Sequence, residues 1–433
     1  MNLREQRLTG AVLALMKDLH DEVAMKATAG RNRLVSTVFA LVLLFAFLPD
    51  AAFADQTVTI WQGQPVASMR HDIQLALDIA GAADSGTITV LGKNHWATET
   101  LAFNIPKGVT LSWRAELTGE VKHSTSFFAV LVSVSGEGVM NIEEGALISV
   151  RSVESAALEC KNATTNITGG EVSCTAASSK ALVVDGCGLY VAESAFLRCT
   201  EARSEAIYAY SGAIAISGGS IQVSGESSYG VYTEYASVWM SGGKIEAFDK
   251  RGTGIWSLHA SVKVTSGEII TNGEQSYGIS MGESQLLISG GTITAQGFGC
   301  KGVGTISGDI IIVGGLINAS GDESNCIEMI GFGAVAYLKG TVSGSARAFC
   351  SGSETDAGTI LEVDVSATPP EQRQSFFDRT GLIPVAQGES ENSVCIYFWC
   401  RVGGETIIVL YYPLQGTHRI ITWPGAVPSR TNG

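Results

Sequence analysis

From residue 155 onward the chain reads aliphatic, variable, aliphatic in short bursts, and the bursts return at a fixed interval. One row, Leu158, Leu182, Ile207, Val231, Ile255, Ile279, Val303 and Ile327, is spaced 24 or 25 residues throughout. A second, Val172, Leu197, Ile221, Ile245, Ile269, Ile293, Ile317 and Val342, keeps the same interval. A third runs Ile216, Met240, Val264, Ile288, Ile312 and Tyr337. Alternation with a period of two is the mark of a strand. Each unit therefore offers three short strands, such as Gly254-Ile255-Trp256, Val262-Lys263-Val264 and Ile269-Ile270-Thr271.

A small-Gly-small-x-aliphatic motif punctuates the units. It stands at Thr168-Gly169-Gly170-Glu171-Val172, Ser217-Gly218-Gly219-Ser220-Ile221, Ser241-Gly242-Gly243-Lys244-Ile245 and Ser289-Gly290-Gly291-Thr292-Ile293. Glycine this frequent forbids the long helices of a helical solenoid, and the pair suits a corner with positive φ or close backbone approach. The expectation is an all-β chain wound as a right-handed parallel β-helix. It has about 24 residues and three strands per coil, and stacked coils are about 4.8 Å apart. Aliphatic rows at one register fill the interior, and each coil is stable only against its neighbours.

The flanks divide the rest. Leu34 to Leu48 is a 15-residue apolar run behind Arg31 and Arg33, and Ala52-Phe53-Ala54 follows with small residues at the cleavage positions. Residues 1–54 thus read as a secretory signal with an extended n-region, for which Met25 offers an alternative start. The run is short for a permanent span, so no membrane anchor is expected after cleavage. Ile73, Leu75, Ala76, Leu77 and Ile79 mark an amphipathic helix within an N-terminal cap over 55–86, and the β-helix occupies 87–350. Residues 351–433 break the repeat and read as a C-terminal β cap or small β domain. They hold a strand over Thr359–Val365, a short helix over Glu371–Arg379, a hairpin turning at Gly403-Gly404, and a further strand at Ile420–Trp423.

These repeats, the capping helix and the segment Leu101–Leu111 resemble right-handed parallel β-helix proteins of the pectate-lyase-like superfamily, in particular glycine-rich bacterial secreted and surface members. The resemblance covers about residues 70–350. It implies the fold and is nearly silent on activity. Lyases of that superfamily share an aspartate cluster that holds calcium, with an arginine or lysine base. Its hydrolases carry Asn-Thr-Asp, Asp-Asp, His-Gly and Arg-Ile-Lys strings, and none of these occurs here.

Composition narrows the partners. The 433 residues include 51 glycines without every-third spacing, which excludes collagen, and a net charge of −14 argues against nucleic acid. The same charge makes a neutral glycan a better partner than a polyanion. Tyr208, Tyr232 and Trp256 recur at 24-residue steps, each directly after an interior aliphatic, so they point outward as an aromatic strip. Tyr229 and Tyr277 hold a second outward register. Such rings hold sugars, or else simply stabilise the sheet by about 0.2–1 kcal/mol per cross-strand pair. Asp249-Lys250-Arg251 faces Glu226 and Glu274 in register and reads as a solvated corner with local ion pairs. Cys174 and Cys199 are stacked neighbours, as a disulfide or as interior thiols. No histidine pair has ligand spacing, so no metal and no cofactor is expected. The leading expectation is a secreted or cell-surface, non-enzymatic, adhesin-like protein presenting a face for an extracellular glycan or envelope surface. A polysaccharide lyase or glycoside hydrolase and a passive envelope component are the alternatives.

Overall fold

The computed structural model describes residues 55–122, 128–306 and 308–330 and, beyond these, the backbone of strands between Val335 and Trp423. The export segment 1–54 and the helix expected over 371–379 lie outside the described residues. No helix among the described residues is long and apolar enough to cross a membrane.

The repeat winds as a parallel β-helix. One sheet has eleven strands, from Leu101–Ile105 to Arg347–Ser351, and its neighbours pair in parallel. The other two segments of each coil form a second, nineteen-stranded sheet. Ile207 pairs with Val231, Val231 with Ile255, and Ile255 with Ile279. All four are fully buried. Val172, Leu197, Ile221, Ile245, Ile269 and Ile293 stack in the same way. These two columns, with Ile216, Met240, Val264 and Ile288, make one continuous apolar core along the axis.

Three details depart from the sequence expectation. In four coils the second and third segments run together as single strands, Ser237–Phe248, Ser261–Asn272, Ser284–Gln296 and Gly308–Ser320. The register between the first two of these shifts near Ser241 and Lys244, so the glycine pair bends the chain without ending the ladder. Second, Leu338 and not Tyr337 continues the third row, because it pairs with Ile312 one coil 26 residues long. Third, Leu75 is 45% exposed. The helix α1 (Val66–Ala82) buries Val66, Met69, Ile73, Ala76, Leu77 and Ala80, a stripe at helical spacing that leaves Leu75 off its edge.

The capping helix acts through polar side chains as well as that stripe. Leu101–Ile105 is the terminal strand of the eleven-stranded sheet and would present unpaired backbone groups. Gln74 accepts from the Asn104 N–H at 2.8 Å and donates to its carbonyl at 3.1 Å, while Arg70 donates to the Thr100 carbonyl. Ahead of the helix, β1 (Asp55–Ile60) pairs in parallel with β2 (Gly86–Ala97), so the segment expected as a cap also contributes a strand.

The corners follow a regular code. Gly170, Gly219, Gly243 and Gly291 all have φ between 68° and 82°. A different corner is left-handed at non-glycine residues, among them Ser178, Arg203, Ser227, Arg251 and Gln275. Each precedes a buried position of a polar column, Ser179, Ser204, Ser228 and Ser276 among them, interrupted by Gly252. Ser204 Oγ accepts from the Ser179 N–H and Ser228 Oγ from the Ser204 N–H. At the Asp249-Lys250-Arg251 bend, Lys250 pairs with Glu274 at 3.1 Å and Arg251 with Glu226 at 3.5 Å, both exposed. This is the ion-paired corner expected from charge alternation. Beyond the solenoid, Ser393–Val402 and Glu405–Tyr412 form the expected hairpin, extended by Thr417–Trp423 in a four-stranded antiparallel sheet.

Candidate functional site: the outer aromatic ladder

The outward positions of the eleven-stranded sheet carry the densest chemistry. Interior residues alternate with outward ones, so Ile207, Val231 and Ile255 on the inside place Tyr208, Tyr232 and Trp256 on the outside of three consecutive rungs. Their rings stack along the axis. Tyr208 and Tyr232 lie 5.3 Å apart at 17°, and Tyr232 and Trp256 lie 4.3 Å apart at 12°. Tyr229 meets Tyr232 edge-on at 5.4 Å and 80°. Tyr277, two rungs further, packs its ring over Gly304. The expected strip is therefore formed, but its rings face one another. It shows solvent mainly ring edges and hydroxyls, not the flat platform its register alone implied.

Charged groups that sequence reasoning passed over surround the ladder. Lys180 and Glu205 lie in the Tyr229 register. They pair at 2.7 Å with only 16% and 14% of their side chains exposed. The Lys180 ammonium also sits 5.0 Å from the Tyr208 ring and 5.6 Å from Phe128. Tyr232 donates to Glu234 at 3.3 Å, Lys161 pairs with Glu159 at 2.8 Å, and Lys301 pairs with Glu328 at 3.2 Å. The signal for these residues was the 24-residue register itself. It was obscured because this row changes residue type from rung to rung.

Burial sets the protonation of the face. It raises the Glu205 carboxyl above the ordinary glutamate range, opposed by the charge of Lys180. Burial raises the phenols of Tyr208, Tyr229, Tyr232 and Tyr277 as well, and nearby glutamates add to it. A raised carboxyl pKa means that the native state keeps its proton over a range where the unfolded chain has lost it. The stability this group contributes is present at low pH and is lost as pH rises through its folded pKa. Glu205→Gln does not titrate. The melting temperature of the wild type should therefore gain on that of Glu205→Gln as pH falls through the mildly acidic range. A gap between the two that does not change with pH would contradict this assignment.

A second aromatic run lies on the adjoining corner, where no sequence expectation had placed one. Tyr210 meets Tyr235 at 5.8 Å edge-on, and Tyr235 stacks on His259 at 5.3 Å and 10°. His259 Nδ1 lies 3.2 Å from Glu283. Cys174 and Cys199 are in register and fully buried, and both stand as thiols. Burial, and then the neighbouring Cys199, push the Cys174 thiol well above its ordinary value. Among the described residues no group of three histidine, cysteine or acidic side chains is placed to hold a metal ion.

No protein-family model matches the chain, and no curated protein matches it significantly. Among solved structures, the crystal structure of the periplasmic alginate epimerase AlgG is similar, with 11% identity and a TM-score of 0.20 over 60% of this chain and 77% of that one. The rungs themselves establish the architecture: the chain is a parallel β-helix.

Proposed function

We propose that this is a secreted or cell-surface, non-enzymatic protein that holds a neutral glycan on the outer face of its eleven-stranded sheet, in the manner of an adhesin. The observation that carries this reading is the half-buried ladder of Tyr208, Tyr232 and Trp256, stacked on rungs of a rigid sheet. Aromatic rings with a polar edge suit ligands that are apolar on one face and wet on the other. Glu159, Glu205 and Glu328 are balanced by Lys161, Lys180 and Lys301, so it is Glu234 and the net charge of −14 that disfavour an acidic polysaccharide through like charge. The strand backbone fixes the spacing of the ring edges, so little ordering entropy is lost on binding.

The test is a glycan array probed with the mature chain and with a variant carrying Tyr208→Ala, Tyr232→Ala and Trp256→Ala together. Binding to neutral glycans that falls at least about tenfold in the variant is expected. Equal binding by the two proteins would remove the ladder from the function. No binding by the wild type would favour a passive envelope component.

One observation favours the enzymatic alternative, a polysaccharide lyase or hydrolase. Glu205 combines low exposure, a raised pKa and a lysine partner, as a proton-transferring group requires. Release of new sugar ends from a polysaccharide, abolished by Glu205→Gln, would establish that reading in place of simple binding.

A further inference from the structure

The ladder has two unlike ends. At one, the Lys180 ammonium stands 5.0 Å from the Tyr208 ring, so a cation occupies that terminal face. Within the ladder, each ring covers the next. At the other end, the residue in register beyond Trp256 is Ser280, and the next is Gly304. Neither has a ring. Among the described residues the distal face of the Trp256 indole thus meets no aromatic or cationic partner, while its other face is held by Tyr232 at 4.3 Å.

The neighbours bound this opening on both sides. Leu258 rests against Gly282, where a Cβ would lie 3.0 Å from Leu258 Cδ1, and the Tyr277 ring lies over Gly304, where a Cβ would lie 2.7 Å from Tyr277 Cε1. Ser280 supplies a short, half-buried floor with one hydroxyl. Near Tyr277, Glu328 and Lys301 pair at 3.2 Å with 15% and 13% of their side chains exposed. From Trp256 to Gly304 is two rungs, roughly 10 Å. Van der Waals contact needs about 3.5–4 Å on each side of a ring. The Tyr277 ring over Gly304 takes the far end of that span, so the space left in stacking reach of the indole holds one saturated ring at most.

We propose that this notch is a subsite for a single neutral pyranose ring. Its apolar face lies on the distal face of Trp256, and its hydroxyls reach Ser280 Oγ and the Lys301–Glu328 pair. This inference rests on the glycan-binding reading and adds where one sugar residue sits. The recognition is stacking from one side and hydrogen bonding from the other, which selects a sugar with an uninterrupted apolar face and no carboxylate. It also gives the ladder a role that its face-to-face packing otherwise denies it, since Tyr208 and Tyr232 then serve to hold the indole upright.

The notch is tested with the full mature chain on a glycan array of neutral oligosaccharides. Ser280→Tyr fills the opening with a fourth ring, Trp256→Leu removes the stacking face and leaves space, and Tyr190→Phe alters an exposed tyrosine on the nineteen-stranded sheet, away from the ladder. Ser280→Tyr and Trp256→Leu should each weaken the strongest wild-type signals on the order of tenfold, with Tyr190→Phe unchanged. If Ser280→Tyr fails to fold, as judged by its far-ultraviolet circular dichroism, Trp256→Leu decides alone. Glycan binding that survives both changes overturns the notch and leaves glycan binding by this face intact. A wild-type chain that binds no glycan overturns both.

Discussion

Replacing Ile255 by alanine should destabilise the protein by about 2–5 kcal/mol, the range for truncating a fully buried aliphatic side chain. Ile255 is 0% exposed and stands between Val231 and Ile279 in one column. Removing its outer carbons leaves a cavity, and rungs tied to neighbours at this register cannot close it by moving one strand alone. The position should also uncouple the two halves of the solenoid, because each coil is stabilised mainly by the coils on either side. The adjacent residue gives the comparison. Trp256→Ala removes a larger side chain, yet from the outer face, where a stacked pair contributes about 0.5–1.5 kcal/mol beyond burial. In urea titrations followed by circular dichroism, Ile255→Ala should lower the midpoint much more than Trp256→Ala and should broaden or split the transition. Equal losses would mean that the column is not the main support of the fold.

That contrast explains which features were legible in the sequence. Inward positions of a stacked coil can hold little besides aliphatic side chains, so Ile207, Val231, Ile255 and Ile279 repeat their chemistry and reveal their period. Outward positions are under no such restriction. Tyr208, Tyr232 and Trp256 could be read because they happened to keep one residue class for three rungs. Lys180, Glu205, Tyr229, Thr253, Tyr277 and Lys301 form an equally regular column but change character at each step. Their convergence on the ladder is therefore visible only in three dimensions. Ring orientation is likewise absent from the sequence: a register states that aromatic residues are neighbours, not whether they show faces or edges. The left-handed corners divide in the same way. Gly243 advertises its conformation by its residue type, while Arg203 and Arg251 adopt positive φ with side chains that give no warning. The capping helix was legible as an amphipathic segment. Its second task, pairing Gln74 and Arg70 with the backbone of an open strand, rests on polar residues that hydrophobic patterning ignores.

Gly243→Val should be strongly destabilising. Gly243 has φ of +74°, and a left-handed conformation costs an L-residue roughly 1–2 kcal/mol. A β-branched side chain is the least able to accept it. A Cβ at this position would in addition overlap the Gly218 carbonyl oxygen and lie 2.7 Å from its carbonyl carbon, backbone atoms one rung away that no rotamer change can relieve. Forced overpacking of this kind costs about 1–3 kcal/mol more, so the two effects together should reach about 2–5 kcal/mol. Gly145 separates them. Its φ is +85°, but a Cβ there would meet nothing within 4 Å. Gly145→Val should therefore carry the conformational cost alone and melt well above Gly243→Val. Melting temperatures measured side by side decide the matter. If the two variants melt together, rung-to-rung contact is not what confines that corner to glycine, and left-handed strain accounts for it all.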